Sequence, residues 1–485
     1  MRKKLATFTF LAGCTLLSVA AAAQEEAPKD KPPANDQQAS IQETITNLQK
    51  KIDELEQEQK KQAELIEGHR KQLDQSRVEL QDRILEVEQG AKSAEAADPN
   101  WDKPKAGHTS LINSYYFRFI ILGQTGWLNK TDQDDKSSYF DANLPIYLCV
   151  YLNAGEHGLL KLKAQWGLGN NLDSQVPTIS YFNETYGNSS WLRPTDVWYE
   201  HSWLQDRIKF RIGLINMSSI FDQNDIASDE TVFFLSQAWD NNTALEFPLF
   251  WGLGATFIFK PHEQVRLMAA WTDANGLWNE IFSAPWAIGE IDYTPKPGGL
   301  TGNYRFYGWY NGRKHLDMKD PTVTRVNFGF GVSFDQKVNS FTTLSLRYGW
   351  QNLQGQLRES ADGSAGLGFA LIPYANYALY LAVGFSGDRY KRPQDFTGIG
   401  YGVSFTGGAW RAAERTGVYP SPNQVGPDPF VPANEHHVEF FYRASLTEFL
   451  TITPDLQWVI NPLGNTYYNL GVLVFTVRLC LYIPG

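Results

Sequence analysis

After its amino-terminal quarter, the chain is built of segments of about ten residues in which polar and apolar side chains alternate. In segment 343–351, Thr343 and Arg347 share one face, and Leu344 and Leu346 share the other. Alternation with a period of two is the pattern of a β-strand, because successive side chains of a strand point to opposite faces. This region therefore predicts a large all-β structure.

The character of the two faces indicates the surroundings that these strands prefer. A soluble β-sandwich buries an apolar face and exposes a polar face to water. Here one face is large and aromatic, and the other carries Arg, Gln, Asn and Gly in segment after segment. Aromatic residues make up 14% of the chain, which suits the aromatic girdles of a membrane barrel. No stretch after residue 23 approaches the roughly 20 apolar residues of a membrane-spanning helix.

Segment length and number favour a transmembrane antiparallel β-barrel. Tilted membrane strands need about 9–11 residues, and the alternating segments have about that length. We count sixteen candidates, an even number as bacterial barrels have, while a count of about 14 or 18 stays open. Sixteen strands leave an aqueous channel. The candidate strands are 112–124, 141–152, 159–168, 195–204, 207–216, 251–260, 264–273, 286–294, 302–313, 324–335, 341–351, 377–386, 396–406, 436–446, 449–460 and 467–480.

The first residues, 1–23, have the pattern of a secretory signal peptide. A basic Arg-Lys-Lys stretch precedes an apolar run, and three alanines before Gln24 offer a cleavage site. An alternative is lipidation, because the Leu-Ala-Gly-Cys sequence that ends at Cys14 resembles a lipoprotein cleavage box. The apolar run continues past this cysteine and favours ordinary cleavage. Residues 24–40 are rich in Ala, Pro, Glu, Lys and Asp and predict a disordered spacer.

A charged segment without proline follows, in which apolar residues recur every seven positions. Ile45 and Ile52 belong to one set, and Leu48 and Leu55 belong to the complementary set. Such a seam predicts a coiled coil, which would make the protein a homo-oligomer, and barrel geometry makes a trimer attractive. The alternative is a single solvated helix. The predicted organisation is signal peptide 1–23, spacer 24–40, coiled coil 41–89, linker 90–110 and outer-membrane barrel 111–485.

The polar faces of the strands are basic although the chain has a net charge of −10. The stretch 212–259 contains no Lys or Arg and is rich in Asp and Glu. We expect this acidic loop to fold into the barrel and face the basic wall, where the transverse field and many hydrogen-bonding groups suit neutral polyhydroxy solutes. The alternative is that these charges only solvate and brace the wall. The predicted pore-lining residues are Lys209, Arg211, Arg305, Arg313, Arg325, Arg347 and Arg443, the rings of Tyr307 and Trp309, and the carboxylates Asp222, Asp225, Asp229 and Glu230. Further inward cations are Arg118, Lys161 and Lys163.

Four stretches of this region carry a resemblance to a known family. They are SSIFDQNDIASDETVFFLSQAWDNNTALEFP at 218–248, GNYRFYGWYNGR at 302–313, LRYGWQN at 346–352 and TPDLQWVINP at 453–462. The chain resembles the carbohydrate-selective porin (OprB) family over roughly residues 110–485. The resemblance implies an outer-membrane channel for passive diffusion of sugars, with an Arg-rich eyelet and acidic partners. It places these roles on Arg305, Arg313 and Arg347 and on Asp222, Asp225, Asp229 and Glu230.

The predicted coiled coil is not part of the core of that family. Certain related porins place a coil and a peptidoglycan-binding domain ahead of the barrel, and this chain has no recognisable wall-binding domain. The expected partners are outer-membrane lipid, sugars or other small polar solutes, further copies of this chain and, through a periplasmic coil, peptidoglycan.

The sequence offers no motif for catalysis, a cofactor, a metal or nucleic acid. Cys149 and Cys480 fit no zinc spacing. The spaced glycines of GIGYGVSFTG at 398–407 lie on one face of a strand, which argues against a nucleotide-binding loop. His436 and His437 point to opposite faces and indicate a girdle rather than a metal site. The competing functions are a porin for anions or amino acids and a structural tether between the outer membrane and the cell wall.

Overall fold

The computed structural model describes ten positions between residues 46 and 61 and most of the chain from residue 110 onward. By its internal contacts the chain divides into two units, Met1–Gly90 and Ala91–Gly485. In the first unit the described positions are helical and exposed. The signal peptide, the spacer, the apolar seam of the coiled coil and nearly all of the linker lie outside the described residues, so these assignments stay predictions. In the second unit the described residues are 110–128, 138–170, 172–176, 178–185, 192–248, 252–276, 282–317, 323–352, 355–357, 375–408, 411, 433–464 and 471–485.

The second unit is one antiparallel sheet that closes on itself as a barrel. Its strands are β1 (Ile112–Leu128), β2 (Ser138–Asn153), β3 (Gly158–Gly169), β4 (Arg193–Trp203), β5 (Ile208–Leu214), β6 (Leu253–His262), β7 (Val265–Asp273), β8 (Pro285–Tyr293), β9 (Gly302–Asp317), β10 (Thr324–Lys337), β11 (Thr342–Gln351), β12 (Gly355–Leu357), β13 (Ala375–Ser386), β14 (Phe396–Thr406), β15 (Glu435–Ser445), β16 (Leu450–Ile460) and β17 (Val472–Pro484). The barrel closes where β17 pairs with β1, from Tyr116 opposite Pro484 to Leu128 opposite Val472.

The predicted fold class and the predicted count of sixteen wall strands are confirmed. Strands β1–β11 and β13–β17 form the wall within the described residues, because β11 pairs directly with β13. The three-residue β12 pairs with the end of β9 instead. Every candidate segment overlaps one wall strand, with boundaries that differ by a few residues. These differences arise because the geometry of each turn determines which residue is the last to pair with the neighbouring strand.

The wall carries its apolar residues outside and its polar residues inside, the reverse of a soluble protein. The outward side chains of Ile121 and Phe306 are 58% and 50% exposed, whereas the inward side chains of Gln457 and Arg478 are fully buried. Only hydrocarbon can cover such an outer surface favourably, which is the arrangement of a membrane barrel. No described helix has both the length and the apolar character needed to cross a membrane.

Short turns and long links alternate around the barrel. The turn between β4 and β5 is tight, with positive φ at Leu204, Gln205 and Asp206. Two long links instead fold into the barrel, and we name them L2 (170–192, between β3 and β4) and L3 (215–252, between β5 and β6). L3 contains one α-helical turn, Gln237–Asp240. The 3₁₀ turns are Leu172–Ser174, Met217–Ser219, Pro297–Gly299, Gly387–Tyr390 and Pro462–Gly464.

Candidate functional site

L3 divides the interior of the barrel into two parts. Its apolar side chains, including Phe233, Phe234 and Trp239, pack against inward residues of β13 and β15 such as Tyr380 and Phe441. We call the inner faces of β10, β11 and β13–β17 the sealed half. The inner faces of β1–β9, part of which remains open to a cavity, are the open half.

Charged side chains of the wall hold the backbone of L3 in place. Arg347 donates to the Asp222 carboxylate (Nε–Oδ1, 3.1 Å), to the Asp222 carbonyl (2.6 Å) and to the Trp239 carbonyl. Arg478 donates to the carbonyl of Phe233 (2.7 Å). Glu439 accepts the N–H groups of Leu235 (2.5 Å) and Ser236 (3.1 Å). Buried backbone groups of a loop need such partners, and here the wall supplies them.

L2 lies beside L3 and is held in the same way. Glu435 accepts the N–H groups of Ile179 (2.7 Å) and Ser180 (2.8 Å), and Gln457 donates to the Phe182 carbonyl (2.9 Å). The two loops also bond directly, because the Glu184 N–H donates to the carbonyl of Leu235 in L3 (3.1 Å). L2 and L3 therefore form one inner layer.

The space between this layer and the open half is a cavity of about 1020 Å³. Its wall residues come from β1–β9 and their turns, and its inner side comes from L2 and L3. Among the described residues, eight cationic side chains and eight carboxylates line it. The cations are Arg118, Lys161, Lys163, Lys209, Arg211, Lys260, Arg266 and Arg305, and the carboxylates are Glu184, Glu200, Asp225, Asp229, Glu230, Asp240, Glu263 and Asp292.

Several of the cations are paired across the cavity or along the wall. Arg118 of β1 reaches Asp229 of L3 at 3.4 Å, so that wall and loop meet directly. Arg305 pairs with Asp225 of L3 at 3.6 Å and, on its other side, with Asp335 at 2.6 Å. These contacts place cations opposite carboxylates, which is the condition for a transverse field.

Aromatic rings lie beside the cations of the wall. The Arg211 guanidinium stands 4.7 Å from the centre of a Trp198 ring, and Arg211 also pairs with Glu200. Lys161 lies 5.5 Å from the ring centre of Tyr151. Cation–π contacts of this kind restrict the side chain and fix where its N–H groups point.

Three loop carboxyl groups on the cavity have altered acidity. Burial raises the pKa of Glu184 and of Asp240 well above their ordinary values, and repulsion by neighbouring carboxylates adds to the effect. Burial, together with the nearby Asp229 carboxylate, also raises the pKa of Glu230. The loop side of the cavity therefore gains negative charge as the pH rises.

The structure places six of the predicted pore residues on this cavity: Lys209, Arg211, Arg305, Asp225, Asp229 and Glu230. The others lie elsewhere. Arg347 and Asp222 are buried against each other beneath L3. The hydroxyl of Tyr307 accepts a hydrogen bond from Asn242 of L3 (2.8 Å).

Arg443 is buried in the sealed half beside the rings of Phe233 and Phe396. Trp309 is buried on β9 away from the cavity. Arg313 lies near the end of β9 and Arg325 near the start of β10, where a bulge interrupts the pairing between these strands. Arg325 is exposed. For Arg347, Tyr307 and Arg443 the inward direction was foreseen but the cover provided by L3 was not.

Sequence reasoning missed several residues that act on the loops. Arg478, Glu435 and Glu439 bond to loop backbone, and Glu290 accepts the Asp222 N–H (2.9 Å). The alternation of the strands could have placed all of them inside the barrel. Alternation could not have predicted that their partners are peptide groups, because these peptide groups belong to loops whose sequences have no regular pattern.

Comparisons with known proteins point to one family. A sequence profile described as "Carbohydrate-selective porin, OprB family" matches residues 153–480. Porin B of Pseudomonas aeruginosa is 23% identical over 325 residues, which cover 60% of this chain and 68% of that protein. The structure of Pseudomonas putida OprB at high pH aligns with a TM-score of 0.62 and 16% identity, over 76% of this chain and 94% of that one. At that identity the structural likeness concerns the fold alone.

Proposed function

Since the chain belongs to the carbohydrate-selective porin (OprB) family and is an outer-membrane porin for carbohydrates, we propose that sugars diffuse passively along the cavity between the open half and the loops L2 and L3. The fold and the family are those of a channel rather than of an enzyme. Small solutes are its cargo, and outer-membrane lipid surrounds its wall.

The observation that carries this proposal is the balance of charge around the cavity. Eight cations and eight carboxylates give no formal excess of either sign. A lining of this kind favours neutral solutes that offer many hydroxyl groups, because arginine and lysine donate to a hydroxyl and carboxylates accept from it. An ion binds less favourably in this cavity, because groups of its own charge lie close to every group of opposite charge that attracts it.

Solute flux into liposomes tests the proposal. We expect a neutral hexose to enter faster than an amino acid or a sugar acid of similar size, and we expect the hexose to reduce the ion current through single channels. Protein-free liposomes are the control. Faster entry of the sugar acid would replace this proposal with an anion porin, and reversal potentials in salt gradients would show the same preference.

For the amino-terminal part, we propose export by the signal peptide and a periplasmic coiled coil over 41–89 that joins copies of the chain. The heptad seam supports this assignment. Deletion of 24–107 tests it by cross-linking and by assays of envelope integrity. We expect intact flux with weaker oligomers, and damage to the envelope would favour a tether to peptidoglycan. Oligomers of undiminished stability would contradict the role of the coil.

A further inference from the structure

One strand of the sealed half has an inner face made of glycine. Gly398, Gly400 and Gly402 of β14 all point into the barrel and are buried. Their backbone is ordinary extended strand, with no positive φ that would call for glycine. Glycine in a strand interior weakens the strand unless something approaches closely, so the reason for these residues must lie in the space above them.

Aromatic rings occupy that space. A Cβ atom built on Gly400 would lie 2.4 Å from Cε2 of Trp239, and one on Gly398 would lie 2.9 Å from Cζ of Phe234. Gly398 also lies under Phe441 of β15, and Gly402 lies under Tyr380 of β13. Trp239 and Phe234 belong to L3. They stack on each other with centres 4.9 Å apart, and Trp239 is only 1% exposed. The indole N–H of Trp239 points to the carbonyl of Leu381 on β13 (3.4 Å).

The segment that carries these rings also carries part of the cavity lining. Trp239 lies in the single helical turn Gln237–Asp240, which Ser236 caps by accepting the Ala238 N–H. The next two residues, Asp240 and Asn241, line the cavity. A displacement of the ring from the wall would therefore move a pore carboxylate directly.

We propose that the glycine face of β14 is the socket that positions L3, and that Trp239 and Gly400 set the width of the pore although neither touches it. The socket works by shape. Because the glycines of β14 have no side chains, the wall leaves room for the rings. The packed rings then hold L3 against the sealed half of the barrel. Close-packed interiors tolerate little added volume, so a side chain in the socket must push the loop away from the wall and toward the cavity.

Substitution Gly400→Val tests the socket. Because L3 lies between β14 and the cavity, its displacement from the wall should narrow the cavity and lower the single-channel salt conductance. We expect the flux of larger sugars to fall more than the flux of a small hexose. A matched control is Gly308→Val, because Gly308 points to lipid and a Cβ there would meet only the Gly329 carbonyl oxygen at 3.9 Å. Heat-dependent migration on electrophoresis verifies that each barrel is folded.

Two more variants keep the test decisive. Trp239→Ala removes the ring without crowding the wall, so that the loop can settle toward β14, and we expect the conductance to rise. The double variant Gly400→Val with Trp239→Leu restores the total volume, and we expect its conductance to return toward the native value. Native conductance in a folded Gly400→Val barrel would overturn the proposal. If that variant does not fold, native conductance of Trp239→Ala would do so.

This inference rests on the proposed function only in that the cavity conducts. Salt conductance does not depend on which solute the channel prefers. A changed conductance in the variants, together with a native channel that has no preference for sugars, would therefore support the socket and contradict the sugar proposal. Native conductance in the variants of a sugar-selective channel would do the reverse.

Discussion

The sealed half and the open half of the barrel have similar inward residues but use them differently. In the sealed half, Arg347, Arg478 and Glu439 bond to the backbone of L3 and are almost fully buried. In the open half, Arg211 and Lys209 pair with a neighbouring carboxylate and keep part of their surface on the cavity. The comparison shows that an inward charge does not by itself identify a pore-lining residue.

The physical difference is the state of hydration. A buried charge without a partner is very costly, so a charge in the sealed half needs hydrogen-bond partners, and peptide groups of the loop supply several of them. A charge on the cavity retains water and can exchange one partner for another. The first kind of residue holds the loop, and the second kind is free to contact a solute.

The largest effect is expected when a charge is removed from the sealed half. Arg347→Ala removes the ion-pair partner of the buried Asp222 carboxylate and the donor to two loop carbonyls. Breaking a buried ion pair costs about 3–5 kcal/mol, so we expect a clearly lower unfolding temperature and a noisy conductance that differs from the native value. Calorimetry in detergent and single-channel recording measure the two effects.

Arg389→Ala is the matched control, because Arg389 is exposed on a turn over the ring of Phe341. We expect native stability and native conductance from it. If Arg347→Ala had native conductance and stability, the division into sealed and open halves would be wrong.

A smaller effect is expected in the open half, and it should fall on selectivity rather than stability. Arg211→Gln removes one positive charge from the cavity while Lys209 still pairs with Glu200. A unit charge close to the permeation path is worth about 1 kcal/mol in a hydrated medium, so the ratio of cation to anion permeability should rise about fivefold. Reversal potentials measure it.

The control for this variant is Arg207→Gln, which alters an exposed arginine in the turn before β5. Its permeability ratio should remain native. A change of the same size in both variants would mean that net charge of the whole protein, rather than position on the cavity, is responsible.

The smallest effect is expected from pH. Because the pKa values of Glu184, Glu230 and Asp240 are raised by burial and mutual repulsion, these carboxyls ionise only as the pH rises through the raised values. We expect cation preference to increase from acidic to mildly alkaline pH. The docking of L3 should weaken over the same range, since a raised pKa in the folded state means that ionisation costs stability.

Asp240→Asn separates the contribution of one carboxyl. The variant should show a smaller shift of reversal potential with pH than the native channel, with the same direction. A native pH profile in this variant would show that Asp240 does not titrate over this range.

Much of the fold was predictable because strand alternation is a local property. Thr343, Ser345 and Arg347 were predicted to share the inner face of one strand, and the structure places them there. The glycines of 398–407 were correctly assigned to one face of a strand, but the ring that covers Gly400 comes from a loop about 160 residues earlier. Such long-range partners leave no periodic signal in the sequence.

What the sequence alone determined is the barrel, its sixteen wall strands and the inward direction of its charges. Those features follow from side-chain period and from the length of strand that a membrane requires. Only the tertiary structure decided that L2 and L3 cover one half of the interior. It thereby separated Arg305 on the cavity from Arg347 beneath the loop. The reason is that inward direction depends on the strand itself, whereas contact with water depends on what another part of the chain places above it.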